Sequence, residues 1–272
     1  MPRALFQRSP NEVAAALIRS RRPVSARVFF NLLPELQARA FTVSGIEGAN
    51  ALQRLRDALA AVAEGEAWSS QKRAVIDELE PYLGEEGAAA RSELILRVNG
   101  FQAFSSSLYQ DSMADGDTTH LQYIHGDIAK VPTPSHLALD GIILPKTDPF
   151  WLTHTGPWGH IGCVCYVRPM NPDLVEEERV RDRDKNPEDR NVLEGPALDQ
   201  LRHGTIIRGI QRYDISPPAG PGAFRWHPAD LRLSVSQIMA RYDPDVRDAF
   251  ELWARRTMLD DGRTVWAWLN GA

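Results

Sequence analysis

From Glu47 to Glu64 the apolar residues Leu52, Leu55, Leu59 and Val62 recur at three- and four-residue spacings beside polar Arg54, Arg56 and Asp57. That period fits one apolar stripe on an α-helix and no strand, so the first part of the chain must be built by packing helices against one another. Ser9, Pro10 and Glu12 mark a helix start running to about Ser20, with Ser9 as cap and Pro10 at the first helical position. The segment from Ser25 to Val43 groups Phe29, Phe30, Leu32, Leu33 and Leu36 around Pro34, which predicts a kinked or split helix. Helices are further predicted over Ser70 to Glu80 and over Ala88 to Met113, the latter with Leu94, Val98, Phe101 and Leu108 along one face.

Beyond Gly116 the pattern changes. Thr118 to Trp158 is crowded with Pro, Gly, Thr and His around short apolar runs such as Ile142-Ile143-Leu144, which predicts brief strands and loops. Between Asn171 and Arg190, 13 of 20 residues are charged and of mixed sign, which reads as a solvated linker. Farther on, Thr205 to Tyr213 predicts a strand, Pro217 to Gly222 a turn region, and Asp243-Pro244 the start of a helix carrying Val246, Phe250 and Trp253 on one face. Thr264 to Leu269 is expected to close as a strand, which would set Trp266 and Trp268 on one side. The expected class is α+β: a helical region over 1–116, a β/loop module over 117–170, a charged linker over 171–195 and an α+β extension over 196–272.

Composition narrows the function classes. With 272 residues, 43% of them hydrophobic, the chain can bury a sizeable core. A formal net charge of −5 suits a soluble protein and argues against one whose main work is coating DNA. No run approaches the roughly 20 apolar residues of a membrane-spanning helix, and Met1 to Pro10 lacks the apolar core of a signal peptide. Folding in the cytoplasm is therefore expected. The two cysteines, Cys163 and Cys165, are too close for an unstrained disulfide, so the thiols are expected to be free or metal-bound.

If Cys163 and Cys165 lie on a strand, both thiols project from one face. With His136 upstream and His160 nearby they can supply the two thiolates and two imidazoles of a tetrahedral zinc site. Two other readings stand beside it: small cysteines packed in a core, and a cysteine nucleophile with His136 or His160 as base, although no neighbouring motif fixes a triad or an oxyanion hole. Asp140-Gly141, ahead of Ile142, reads as a turn into a strand rather than a metal or catalytic pair. Phe150 and Trp151 suit core packing or a partner anchor, and no role is assigned to His120 and His125, which flank Tyr123.

The succession His136-Leu-Ala-Leu-Asp140-Gly141, Asp148-Pro149-Phe150-Trp151 and Gly162-Cys163-Val164-Cys165, preceded by Arg97 and Asn99 on the long helix, resembles the signature of the phage Mu F-like minor head proteins. The likeness covers roughly Val24 to Met170 and, more weakly, Gly222 to Pro228. Val164 stands where the family carries Arg. The resemblance implies a minor head protein acting in capsid assembly, with portal, capsid or scaffold subunits as partners, incidental contact with packaged DNA, and the virion head as its location. Arg97 and Asn99 are expected to hold the irregular segment through hydrogen bonds to loop carbonyls. The rival class is an enzyme: a zinc-dependent hydrolase or nuclease at the His/Cys cluster, or a phage-borne effector.

Overall fold

A computed structural model describes residues 10–43, 45–126, 133–155, 163–216 and 233–271. The chain divides into two compact units, one formed by residues 1–99 and 226–272 and the other by residues 100–225.

In the first unit, helix α1 (Pro10–Ser20) packs on α4 (Ala49–Ala63), whose stripe of Leu52, Leu55 and Leu59 is wholly buried. The predicted split at Pro34 is present, giving α2 (Ala26–Asn31), capped by the Ser25 side chain, and α3 (Pro34–Gln37) with the proline in its first turn. Two short strands, β1 (Arg22–Pro23) and β2 (Ala40–Phe41), run parallel.

Residues from the far end of the chain complete this core. Helices α9 (Val235–Met239), α10 (Pro244–Arg256) and α11 (Val265–Leu269) bring Ile238, Phe250, Ala254, Val265 and Leu269 into one cluster with Val28, Phe29, Leu32 and Leu36. The expected strand at Thr264 to Leu269 is therefore a helix. Thr264 accepts the N–H of Ala267 as its cap, and the strand-like pairing stops at the single Met258–Thr264 bridge. Trp266 and Trp268 pack partly buried on the core, with the Arg255 guanidinium 4.8 Å above the Trp266 ring.

Helix α5 (Trp68–Ala114) joins the two predicted helices across a break at Gly84, whose φ of 69° and ψ of 167° no L side chain adopts cheaply. In the second unit, the last turns of α5 are closed by Lys146, whose ammonium donates to the carbonyls of Asp115 at 2.8 Å and Ser112 at 3.4 Å. An antiparallel sheet of order β4-β3-β5 is built from β3 (His120–Ile124), β4 (Ile143–Pro145) and β5 (Tyr166–Met170), in the register Leu121↔Leu144 and Tyr123↔Val167. Helix α6 (Pro134–Leu139) leads into β4. A hairpin, β6 (Thr205–Arg208) and β7 (Gln211–Asp214), follows α8 (Gly195–Arg202).

The charged stretch is not a solvated linker. It forms α7 (Pro172–Asp182), capped by Asn171, and a 3-10 turn at Pro187–Asp189, all inside the second unit. Val175 joins Ile143, Met170 and Val192 in a small core, and Glu178 and Asp182 are buried. The mixed charges that read as solvation pair with one another along the helix, as in Arg181 with Glu178 and Lys185 with Asp182.

Candidate metal centre

Cys163 to Cys165 form no regular secondary structure, contrary to the strand on which a shared face would depend, and lead directly into β5, with both sulfurs near the same His136 nitrogen. Val164 is fixed by a close backbone approach. A Cβ placed on Gly126 would lie 2.6 Å from the Val164 carbonyl oxygen, so glycine lets the segment just after β3 lie against the segment just before β5.

His136 comes from α6, a short helix begun by Pro134 and ended at the Asp140-Gly141 turn. That turn is held on three sides. Asp140 accepts the N–H of His125 at 2.7 Å, Gly141 donates to the Tyr123 carbonyl at 2.9 Å, and the Arg208 guanidinium donates to the Ala138 carbonyl at 2.9 Å. Gly141 sits at φ +83°, with the Asn191 side chain 2.9 Å from where a Cβ would be.

These constraints bring His136, Cys163 and Cys165 together. The His136 Nδ1 atom lies 3.5 Å from Cys163 Sγ and 3.4 Å from Cys165 Sγ, and the three candidate ligand atoms are all within 4.8 Å of one another. Both cysteines are buried. Tyr123, buried on β3, directs its hydroxyl to Cys165.

The electrostatics separate the two thiols. A hydrogen bond from the Cys163 thiol holds the Cys165 pKa below the ordinary thiol value against the cost of burial, with further support from His136 and Tyr123. Cys163, the donor of that bond and itself buried, is pushed up. Burial, with the neighbouring Cys165 and Cys163, pushes the Tyr123 phenol up.

The donor set fits a soft or borderline cation. For a tetrahedral ion with Zn–S near 2.3 Å and Zn–N near 2.05 Å, the N···S edge is about 3.5 Å, which is the separation found here. His160 lies outside the described residues. Among the described residues no Asp or Glu joins the cluster, and Asp140, the nearest candidate in the sequence, is engaged by the His125 amide.

The remaining motif residues serve the surrounding packing. Asp148 caps a 3-10 turn (Pro149–Leu152) by accepting the Phe150 N–H at 2.9 Å and pairs with Arg202 at 2.7 Å. Trp151 is buried and donates its indole N–H to the Pro145 carbonyl at 2.9 Å. Phe150 is also buried and stacks on His154 at 4.1 Å. Arg97 lies in α5. Asn99 accepts from Arg21 at 3.5 Å and donates to the Ile95 carbonyl at 3.0 Å, both in the first unit, instead of reaching the irregular segment's carbonyls.

Sequence reasoning noticed Tyr123 without giving it a role, and it passed over Gly126, Arg208 and Asp182. Alternation along β3 was the available signal for Tyr123, since Leu121 and Tyr123 share a face two residues apart.

Over 173 residues, 56% of this chain, the sequence is 29% identical to the Mu-like prophage FluMu F protein of Haemophilus influenzae. This supports a Mu F-like family assignment. The likeness first read from the His136 to Cys165 motif is thus borne out by a relative. The chain spans 40% of the length of that relative. No family model and no solved structure matches the chain.

Proposed function

We propose that this chain is a minor head component of a Mu-like phage or prophage, and that it docks on portal, capsid or scaffold subunits during head assembly and travels in the head with the packaged DNA. The observation that carries this reading is the match to a Mu-like prophage F protein over more than half of the chain. It agrees with the succession of His136, Asp140-Gly141, Phe150-Trp151 and Cys163-Cys165.

One feature of the second unit supports docking. Leu137 on α6, Leu152 in the 3-10 turn and Ile210 at the tip of the β6–β7 hairpin are large apolar side chains exposed on the second unit, the kind of anchor that carries binding energy when covered. Among the described residues, no helix is long and apolar enough to cross a membrane.

The test is mass spectrometry of purified virions and procapsids from the source phage, combined with cross-linking. The expected result is this chain at low copy number, cross-linked to the portal or to a capsid or scaffold subunit. Absence from every particle would overturn the assembly reading and turn attention to hydrolase assays of the His/Cys cluster.

A further inference from the structure

The cluster of His136, Cys163 and Cys165 has a bonding problem that hydrogen bonds do not solve. One imidazole nitrogen faces two sulfurs at nearly equal distance, 3.5 and 3.4 Å, yet a single Nδ1 lone pair accepts only one thiol proton well. A thiol is also a weak donor, so two buried S–H groups gain little from this arrangement. A cation at the centre engages all three lone pairs at once, and the N···S separations already match the edges of a tetrahedral site.

We propose that His136, Cys163 and Cys165 bind one zinc ion with a structural role, fastening α6 to the segment that enters β5, and that Tyr123 donates its hydroxyl to the Cys165 thiolate. Zinc fits the ligand chemistry: two thiolates and an imidazole select it over the hard cations that prefer oxygen, with the fourth position of the tetrahedral ion left to a ligand beyond these three. The placement fits the role, because the ligands lie 27 and 29 residues apart in the chain. The ion closes a loop-rich segment whose own strands are only three and five residues long. Burial of both thiols opposes a nucleophile, which needs an accessible thiolate. Tyr123 is a positioning residue: its bond to a ligating sulfur holds that thiolate's orientation and charge. This assignment does not rest on the head-assembly reading.

The experiment uses the full chain, purified without chelator and analysed for bound metal, then stripped and titrated with cobalt(II) and with zinc. The expected results are about one zinc per chain and, with cobalt, a thiolate-to-cobalt charge-transfer band with the intense d–d absorption of a tetrahedral site. Cys163→Ser with Cys165→Ser should abolish that band. Tyr123→Phe should keep the stoichiometry while weakening zinc binding roughly 10- to 100-fold. Lack of both retained zinc and a cobalt–thiolate band in the folded wild-type chain would overturn the site, without dependence on whether any variant folds. Zinc content unchanged in the double serine variant would overturn the ligand assignment, and zinc affinity unchanged in Tyr123→Phe would overturn the positioning role.

Discussion

One oxygen of the Asp182 carboxylate accepts two consecutive backbone N–H groups, those of Asn191 at 2.7 Å and Val192 at 2.9 Å, while the other oxygen accepts from Lys185 at 3.0 Å. The carboxylate thereby turns the chain after α7 back onto β4, where Asn191 offers its carbonyl to the Ile143 N–H at 2.8 Å. Asp182→Ala would leave two amides in a largely buried place without an acceptor. The expected cost is about 2–6 kcal/mol, at about 1–3 kcal/mol for each unpaired buried group. Urea unfolding measures it, and a loss within about 0.5 kcal/mol of wild type would show that the turn holds without the carboxylate.

Gly126→Ala should be destabilising although alanine is the smaller-risk choice at most glycines. The added methyl would stand 2.6 Å from the Val164 carbonyl oxygen and 2.8 Å from its Cγ2, so backbone must shift. The expected loss is about 1–3 kcal/mol, together with slower or weaker zinc uptake because the displaced segment before β5 carries both thiols. Thermal unfolding and metal titration of the same preparation check both effects.

His154 is partly buried and holds the Ile215 carbonyl through Nε2 at 2.7 Å. Burial lowers its pKa below the ordinary histidine value. A depressed folded value means that the unfolded chain binds the proton more readily, so the contribution to stability is present above about pH 6.5 and is lost as pH falls through the folded value. The difference in unfolding temperature between about pH 7.5 and about pH 5 should therefore be larger for wild type than for His154→Gln, which keeps a donor but cannot charge. Equal differences would refute this.

Arg208 spends its guanidinium on three carbonyls, those of Ala138, Glu188 and Arg190, at 2.9, 2.9 and 3.0 Å. It ties the end of α6 to the segment after α7. Lysine keeps the charge but not the planar fork. Arg208→Lys should cost about 1–3 kcal/mol, and faster amide hydrogen exchange at the Asp140-Gly141 turn is the accompanying signature.

How much of this was legible in the sequence depended on whether a segment's partners lie close along the chain. The apolar stripe of α4 and the Pro34 split are local, and both stand as expected. The 264–269 segment misled because Val265, Ala267 and Leu269 alternating with Trp266 and Trp268 is ambiguous over so few residues, and a Thr264 cap decided it for helix. The charged stretch misled for a different reason. Mixed charge was read as solvation, whereas Asp182 and Glu178 turn inward to satisfy groups nine or more residues away, a relation that no local pattern records. In the site, the motif brought His136, Cys163 and Cys165 to notice, but the cysteines converge on His136 from the irregular segment before β5 and not from a strand face. Tyr123 was hidden because its role arises only once β3 pairs with β5 in this register.

The pairing of Val192 alongside Ile143 has a bearing on crowding. A strand at the border of a sheet exposes a row of amides and carbonyls that can recruit a strand from a neighbouring molecule. Here the border strand β4 meets its own chain at that position, so a neighbouring molecule is denied one route of indiscriminate strand-to-strand adhesion there.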